Sequence, residues 1–227
     1  MYEKYIKRAI DIIISLGAII VLSPILLVMI IIGAVIMRGN PFFVQLRPGK
    51  DEKIFKMIKF RSMTLETDKN GNLLSDEDRI TKYGKFIRAA SLDELTEFFN
   101  ILKGDMSFVG PRPQLVRDMV FMTNEQRKRH TVKPGLTGLA QSMGRNGLSW
   151  ENKLKYDLEY IQNVTFLNDV KIVFRTIAIV FKQEGITEDG MVTAADLGDY
   201  LLDIGKVDKL EYEENNKLAE ELISQRI

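Results

Sequence analysis

Cysteine is absent from the 227-residue chain, and histidine occurs once, at position 130. Without cysteine there is no disulfide framework, no thiolate nucleophile and no zinc ribbon. With a single histidine no multi-histidine metal site can form. A Ser-His-Asp triad would have to use His130, which lies in the polar run Glu125-Gln-Arg-Lys-Arg-His130 and reads more simply as a solvated helix residue. An excess of one charge is also missing: 32 basic and 31 acidic residues leave a formal net charge of +1. No bulk attraction draws such a chain to nucleic acid. Chemistry is left to carboxylates, lysines and arginines, which suit phosphates and hard metal ions.

What the chain does have is an apolar N-terminus. Ile12 to Met37 carries no charge. As a helix at ~1.5 Å per residue it would reach about 39 Å, against a bilayer core of about 30 Å. No polar face marks it as a core helix, and no small-x-small site marks it as a cleaved signal. Two features complicate a simple crossing. Ser23-Pro24 stands at the midpoint, and proline removes a backbone donor and breaks or kinks a helix. Each half is then about 12–13 residues, or ~19 Å, too short to span alone. Cations flank both ends, Lys4, Lys7 and Arg8 before and Arg38, Arg47 and Lys50 after, which favours both ends in the cytoplasm. A segment that enters, bends at Ser23-Pro24 and returns fits these facts, with the Ser23 hydroxyl available to a freed backbone group. A kinked single-pass helix fits the residues equally well.

The length favours one domain with an appended segment. The expected division is a membrane segment over 1–38, a catalytic domain over 39–190 and a polar C-terminal tail over 191–227. Short extended runs fall between Pro41 and Met63. Thr64 to Tyr83 is polar, with an Asn70-Gly71 turn signal, and reads as a mobile loop. Its Asp76-Glu77-Asp78 has the form of an acid-x-acid metal motif, although three acids in a polar loop are ordinarily solvated. Ser91 and Glu94 read as a capping box opening a helix, with Leu92, Leu95, Phe99 and Leu102 on one face and Lys103-Gly104 as its stop. Lys133 to Gly138 reads as a turn-rich loop. Trp150 to Gln162 is an amphipathic helix. In Leu167 to Lys182, Lys171, Arg175 and Lys182 fall within about 40° on a helical wheel. That stripe suits a helix lying on a membrane surface or one packed on the core. Val207 to Arg226 is charged and reads as a solvated helix or partly ordered tail.

Cations cluster in the polar segments: Lys59, Arg61, Arg88, Arg112 and Arg145. Arg112 lies in Gly110-Pro-Arg-Pro113, where two prolines fix backbone angles around a side chain suited to bidentate phosphate contacts. Arg145 follows a glycine in Gly144-Arg-Asn-Gly147, where backbone can approach a ligand closely. Asp93-Glu94 at a helix start has a structural reading, since acids are favoured there by the helix dipole. Its functional reading is a carboxylate kept ionised to bind Mg²⁺ or attack phosphorus.

Taken together, Lys59-Phe-Arg-Ser-Met63, Ser91-Leu-Asp-Glu-Leu95, Gly104-Asp-Met-Ser-Phe-Val-Gly-Pro-Arg-Pro113, Lys133-Pro-Gly-Leu-Thr-Gly138 and Gly144-Arg-Asn146 resemble the motifs of the bacterial sugar transferases called monotopic phosphoglycosyl transferases. The resemblance covers roughly residues 1–190. It implies a mainly α fold with minor β, in which a re-entrant membrane helix hairpin broken at Ser23-Pro24 carries a compact cytoplasmic domain with amphipathic interfacial helices. It implies that Asp93 attacks the β-phosphate of a UDP-sugar, that UMP leaves, and that a polyprenyl phosphate, expected to be undecaprenyl phosphate, collects the phosphosugar from the aspartyl intermediate. Glu94 joins Asp93 as a catalytic residue, Asp93 also binds the Mg²⁺ cofactor, and Lys59, Arg61, Arg88, Arg112 and Arg145 are the expected substrate and phosphate ligands. The implied setting is the cytoplasmic face of a bacterial inner membrane. The partners are membrane lipid, not nucleic acid, with a second copy of the chain or downstream glycosyltransferases as further ones. Two departures stand out: Thr96-Glu97 where the family often has Pro-Gln, and Ser62 where threonine is common. Two other readings compete. A membrane glycosyltransferase would release UDP and use Asp76-Glu77-Asp78 for metal, and a non-enzymatic membrane scaffold would use Asp93-Glu94 only as a cap.

Overall fold

A computed structural model describes residues 1–144, 147–182 and 195–226. Among the described residues the chain is mainly helical, with two small two-stranded sheets. It divides into two compact units: a smaller one of Ile10–Gln45 and Met57–Gly104, and a larger one of Met1–Ala9, Leu46–Lys56 and Asp105–Ile227.

The apolar segment forms α1 (Lys7–Ile36), preceded by a wider π turn over Tyr2–Ile6. The break expected at Ser23-Pro24 is not seen; helix continues through it, with Pro24 inside. The reason lies in one hydrogen bond. Proline lacks the N–H that would reach the carbonyl four residues back. The Ser23 hydroxyl donates to that carbonyl, Ile20 O, at 2.7 Å. Along its middle α1 leaves Ile13, Ile20 and Val21 exposed. Among the described residues, the helical stretch Tyr2–Ile36 is the one long and apolar enough to cross a membrane.

Farther along, α1 enters the core of the smaller unit. Leu26, Met29, Phe60 and Ile87 are buried together, and Leu22, Ile30, Phe42, Tyr83, Leu92 and Leu95 pack around them. Each fully buried side chain of this kind contributes about 1.5–3 kcal/mol. Phe42 and Phe60 come from β1 (Phe42–Pro48) and β2 (Ile54–Phe60), which pair with each other. The stretch expected as a mobile loop is built instead. Antiparallel bridges join Met63 to Ile80 and Thr67 to Leu73. Between the latter two, the expected turn forms with Gly71 at φ 85° and Asp68 Oδ1 accepting from the Asn70 and Asn72 N–H groups. Asp76-Glu77-Asp78 opens α2 (Asp76–Arg79), capped by Ser75, and Asp76 pairs with Arg79. Next comes α3 (Lys82–Ala89), capped by the Thr81 hydroxyl.

In the larger unit, β3 (Ser107–Val109) runs parallel to β4 (Gly135–Thr137), with Ser107 opposite Gly135 and Val109 opposite Thr137. The loop expected over 133–138 is thus partly strand. Its glycines permit the pairing: a Cβ on Gly135 would stand 2.1 Å from Gly110 N. The helices α8 (Trp150–Gln162) and α9 (Phe166–Lys182) supply Tyr160 and Ile172 to a core with Val109, Val132 and Leu139. One face of α9 packs on the core, where Ile172 is fully buried, while Leu167 is 77% and Phe174 68% exposed. Lys171 and Arg175 are exposed, and the Lys182 side chain lies outside the described residues. Asp169 on α9 accepts from the Tyr2 and Tyr160 hydroxyls at 2.6 and 2.8 Å and pairs with Lys7.

The polar C-terminal residues fold as α10 (Leu197–Asp203) and α11 (Lys209–Ser224), the latter being the helix that was one of the two readings of Val207 to Arg226. Leu197 and Val207 are buried with Phe121, Met122 and Leu154. Arg117 on α5 (Val116–Val120) donates to Asp196, Asp199, Tyr212 and Asn216.

His130 was expected in solvent. It is buried, in a turn over Lys128–Thr131. Burial, with the Arg129 charge, lowers its pKa from 6.5 to about 4. The unfolded histidine takes up a proton at a higher pH than the folded one. Its contribution is therefore present above pH 6.5 and lost as pH falls toward about 4. The expected loss from this group over that window is on the order of 3 kcal/mol. Denaturant titrations at pH 7 and pH 4.5 should show His130→Gln losing less stability on acidification than the parent protein. An equal loss in both would contradict this account.

Candidate active site

Lys59 stands near the end of β2, and the strand is fixed where the lysine leaves it. The Ile58 N–H donates to Asn100 Oδ1 at 3.1 Å, and the Ile58 carbonyl accepts from the Thr96 hydroxyl at 2.6 Å. Thr96 and Asn100 are buried. They belong to the stretch that carries the acid pair and α4 (Glu97–Lys103). Lys59 Nζ donates to Glu94 Oε1 at 2.8 Å and lies 3.2 Å from Glu97 Oε1. The Lys59, Glu94 and Glu97 side chains are 15%, 19% and 2% exposed. One ammonium thus faces two carboxylates in a partly dehydrated space, where charge interactions exceed their strength in water.

The acid pair does not sit where a capping box would put it. Ser91 is left-handed, at φ 54° and ψ 24°, and makes no side-chain cap bond. A short 3₁₀ turn (Leu92–Glu94) follows, and α4 begins only at Glu97. A capping serine needs extended backbone angles, which Ser91 lacks, and Glu94 is drawn to Lys59 instead. The intervening turn also shifts the helical phase. On α4 the buried apolar residues are Phe98 and Ile101, whereas Phe99, expected inward, is exposed. Asp93 precedes α4 by a full turn, so the dipole of that helix acts on it weakly. Leu92 and Leu95, on either side of the pair, pack against the Leu26–Met29 cluster. Tyr83 lies in the same surroundings, and burial together with the Asp93 charge raises its phenol pKa.

Two more expected ligands belong to this unit. Arg88, in the last turn of α3, donates through Nε to the Ser62 hydroxyl at 2.9 Å. The Arg61 N–H donates to Pro41 O at 2.7 Å, while its side-chain Nε is buried without a hydrogen-bond partner among the described residues. Lys59, Arg61, Arg88, Asp93 and Glu94 therefore share the smaller unit. Arg112 belongs to the larger unit, and Arg145 lies outside the described residues. The sequence motifs did not reveal the roles of Thr96, Glu97 and Asn100. Thr96-Glu97 registered only as a departure from the family pattern, and Asn100 carried no signal of its own.

Among the described residues no group of three or more His, Cys, Asp or Glu is gathered to hold a metal. A donor set of one or two carboxylates at Asp93-Glu94 still matches Mg²⁺. That ion commonly binds through one or two carboxylates and completes its shell with water and substrate phosphate.

Among known proteins, the sequence pattern of the bacterial sugar transferases matches residues 2–183. The chain belongs to that family. It is 50% identical over 157 residues to the uncharacterized sugar transferase EpsL of Bacillus subtilis (strain 168), covering 69% of this chain and 78% of that one. It is 36% identical over 202 residues to the UDP-galactose-lipid carrier transferase of Erwinia amylovora, covering 81% and 42%. It is 44% identical over 186 residues to the UDP-glucose:undecaprenyl-phosphate glucose-1-phosphate transferase of Klebsiella pneumoniae, covering 75% and 39%. The matched region thus makes up well under half of the last two relatives. The family match ends before α10 and α11.

Replacing Lys59 with methionine removes the ammonium that faces Glu94 and Glu97. The expected cost is about 3 kcal/mol, the scale for removing one partner of a largely buried ion pair. Adding Glu97→Gln should recover part of it. A thermal-melt double-mutant cycle reads the coupling, and strict additivity would mean that the two groups do not interact.

Proposed function

We propose that this protein transfers a sugar 1-phosphate from a UDP-sugar to a polyprenyl phosphate, undecaprenyl phosphate being the expected lipid, and releases UMP. The observation that carries this reading is the shared cluster of Leu26 and Met29 on the apolar helix with Leu92 and Leu95 beside Asp93-Glu94. A carboxylate pair anchored to such a helix suits a reaction joining a water-soluble donor to a lipid phosphate. The printed names of the Erwinia and Klebsiella relatives describe transfer from UDP-sugars to lipid carriers, which supports the same reaction class here.

In the proposed sequence an Asp93 carboxylate oxygen attacks the β-phosphorus of the donor. The Asp93–phosphorus bond forms as the bond to the bridging oxygen breaks, and UMP leaves with that oxygen. A phosphate oxygen of the lipid then attacks the same phosphorus and frees Asp93, giving polyprenyl-diphosphate-sugar. This is covalent catalysis in two displacements with ping-pong kinetics. Glu94, held by Lys59, keeps a second carboxylate beside the nucleophile. Arg61, Arg88, Arg112 and Arg145 are the proposed phosphate ligands. Asp93, together with the diphosphate, would hold Mg²⁺, which supplies neutralisation of phosphate charge when bound. The product is a starting point for glycan assembly, to be extended by downstream glycosyltransferases.

We also propose the re-entrant topology, on the cytoplasmic face of a bacterial inner membrane. The support for it is the charge around the apolar segment: Lys4, Lys7 and Arg8 precede it and Arg38, Arg47 and Lys50 follow it, which favours both ends on the cytoplasmic side. In this chain, free of native cysteine, single cysteines at Tyr2 and Asn40 should react with an impermeant reagent from the same face. Reaction from opposite faces would exclude this topology.

The reaction is tested by nucleotide release from the purified protein with UDP-sugars, polyprenyl phosphate and Mg²⁺. UMP should appear, and Asp93→Asn should lower its rate on the order of 10³-fold or more. Release of UDP instead would mean sugar transfer without the phosphate and would remove the nucleophile role from Asp93.

A further inference from the structure

The Gly110-Pro111-Arg112-Pro113 turn is held through three successive carbonyls. Pro111 O accepts from the Gly135 N–H at 2.9 Å, Arg112 O from Arg129 Nη2 at 2.6 Å, and Pro113 O from Arg47 Nη1 at 3.1 Å. The turn enters from β3 through the Gly110 N–H, which donates to Thr137 O at 2.8 Å. All these groups lie in the larger unit. Prolines on either side of Arg112 fix φ at both neighbours, so little backbone freedom remains at that residue.

The middle support is unusual in its cost. The Arg129 side chain is 1% exposed and that of Asp157, on α8, is 3% exposed. Arg129 donates through Nε and Nη2 to Asp157 Oδ2, at 2.9 and 2.7 Å. A charge pair this deep generally stabilises a fold no better than apolar side chains of the same volume. What apolar side chains could not supply is the N–H aimed at the Arg112 carbonyl. Lysine could not replace the fork either, because a guanidinium presents donors in fixed directions to two acceptors at once.

We infer that Arg129 and Asp157 are positioning residues that act through Arg112, holding its backbone so that its guanidinium meets a substrate phosphate already oriented. This rests on the reading of Arg112 as a phosphate ligand. The phosphate is either the donor's diphosphate or the lipid's monophosphate, and the two Michaelis constants tell them apart.

The test uses full-length protein and UMP release. The double variant Arg129→Met/Asp157→Leu replaces the pair with apolar side chains and leaves Arg112 in place. Its Tm should stay within a few degrees of the parent. The KM for one of the two phosphate substrates should rise about tenfold, with kcat changed less than about threefold, as expected when a binding group is misplaced. In an Arg112→Ala background the same pair of changes should add less than about twofold. If the double variant does not fold, Arg129→Lys retains the charge and removes the fork, and should move the same KM. An unchanged KM in a folded variant, or effects that multiply with Arg112→Ala, would overturn the positioning role. If Arg112→Ala itself leaves both KM values unaltered, it is the phosphate reading of Arg112 that fails, and the positioning role falls with it.

Discussion

The packing of Leu92 and Leu95, from the acid-bearing stretch, against the cluster that Leu26 and Met29 of the apolar helix form with Phe60 and Ile87 is the interaction on which the rest depends. It makes one hydrophobic cluster serve two purposes. The cluster forms the core of the smaller unit, with Phe60 from β2 and Ile87 from α3. It also ties the position of Asp93-Glu94 to that of a helix that leaves Ile13, Ile20, Val21, Leu27 and Val28 exposed. Hydrophobic burial has no preferred direction, so it cannot by itself orient a carboxylate. That orientation comes from polar contacts around it.

Those polar contacts are part-buried. Thr96 and Asn100 take both backbone groups of Ile58, which fixes the strand one residue before Lys59. The lysine then reaches two carboxylates. A buried polar group left without a partner is costly, so each member of this set constrains the others. The larger unit uses the same device with different residues: buried Arg129 answers both a carboxylate and a carbonyl.

Much of this was legible in the sequence, and the failures have physical causes. The apolar segment, α8 and α9 follow from residue periodicity, which is local information. The motif residues Lys59, Arg61, Arg88, Asp93 and Glu94 fall in one unit, and Lys59 meets Glu94 within it. The capping box failed because its pattern names only a donor and an acceptor, and Glu94 found a partner 35 residues away. The polar stretch after Thr64 was read as mobile because its two bridges, Met63 with Ile80 and Thr67 with Leu73, are backbone pairings that leave no periodicity in the side chains. His130 looked solvated because its neighbours are charged, yet Arg129, the residue beside it, is itself buried against Asp157. Charge predicts exposure only where no opposite charge waits inside.

The bond from Ser23 to the Ile20 carbonyl has a consequence for how this helix can change over time. The two residues at its midpoint are not interchangeable in the order of their loss. Replacing Pro24 first restores a backbone N–H, and Ile20 O keeps at least one donor throughout. Replacing Ser23 first removes the hydroxyl from the Ile20 carbonyl while Pro24 still offers no N–H, and in a bilayer an unsatisfied backbone group costs several kcal/mol. Mutational routes away from the Ser-Pro pair therefore run in one direction. The proline can be surrendered at leisure, while the serine is held for as long as the proline remains.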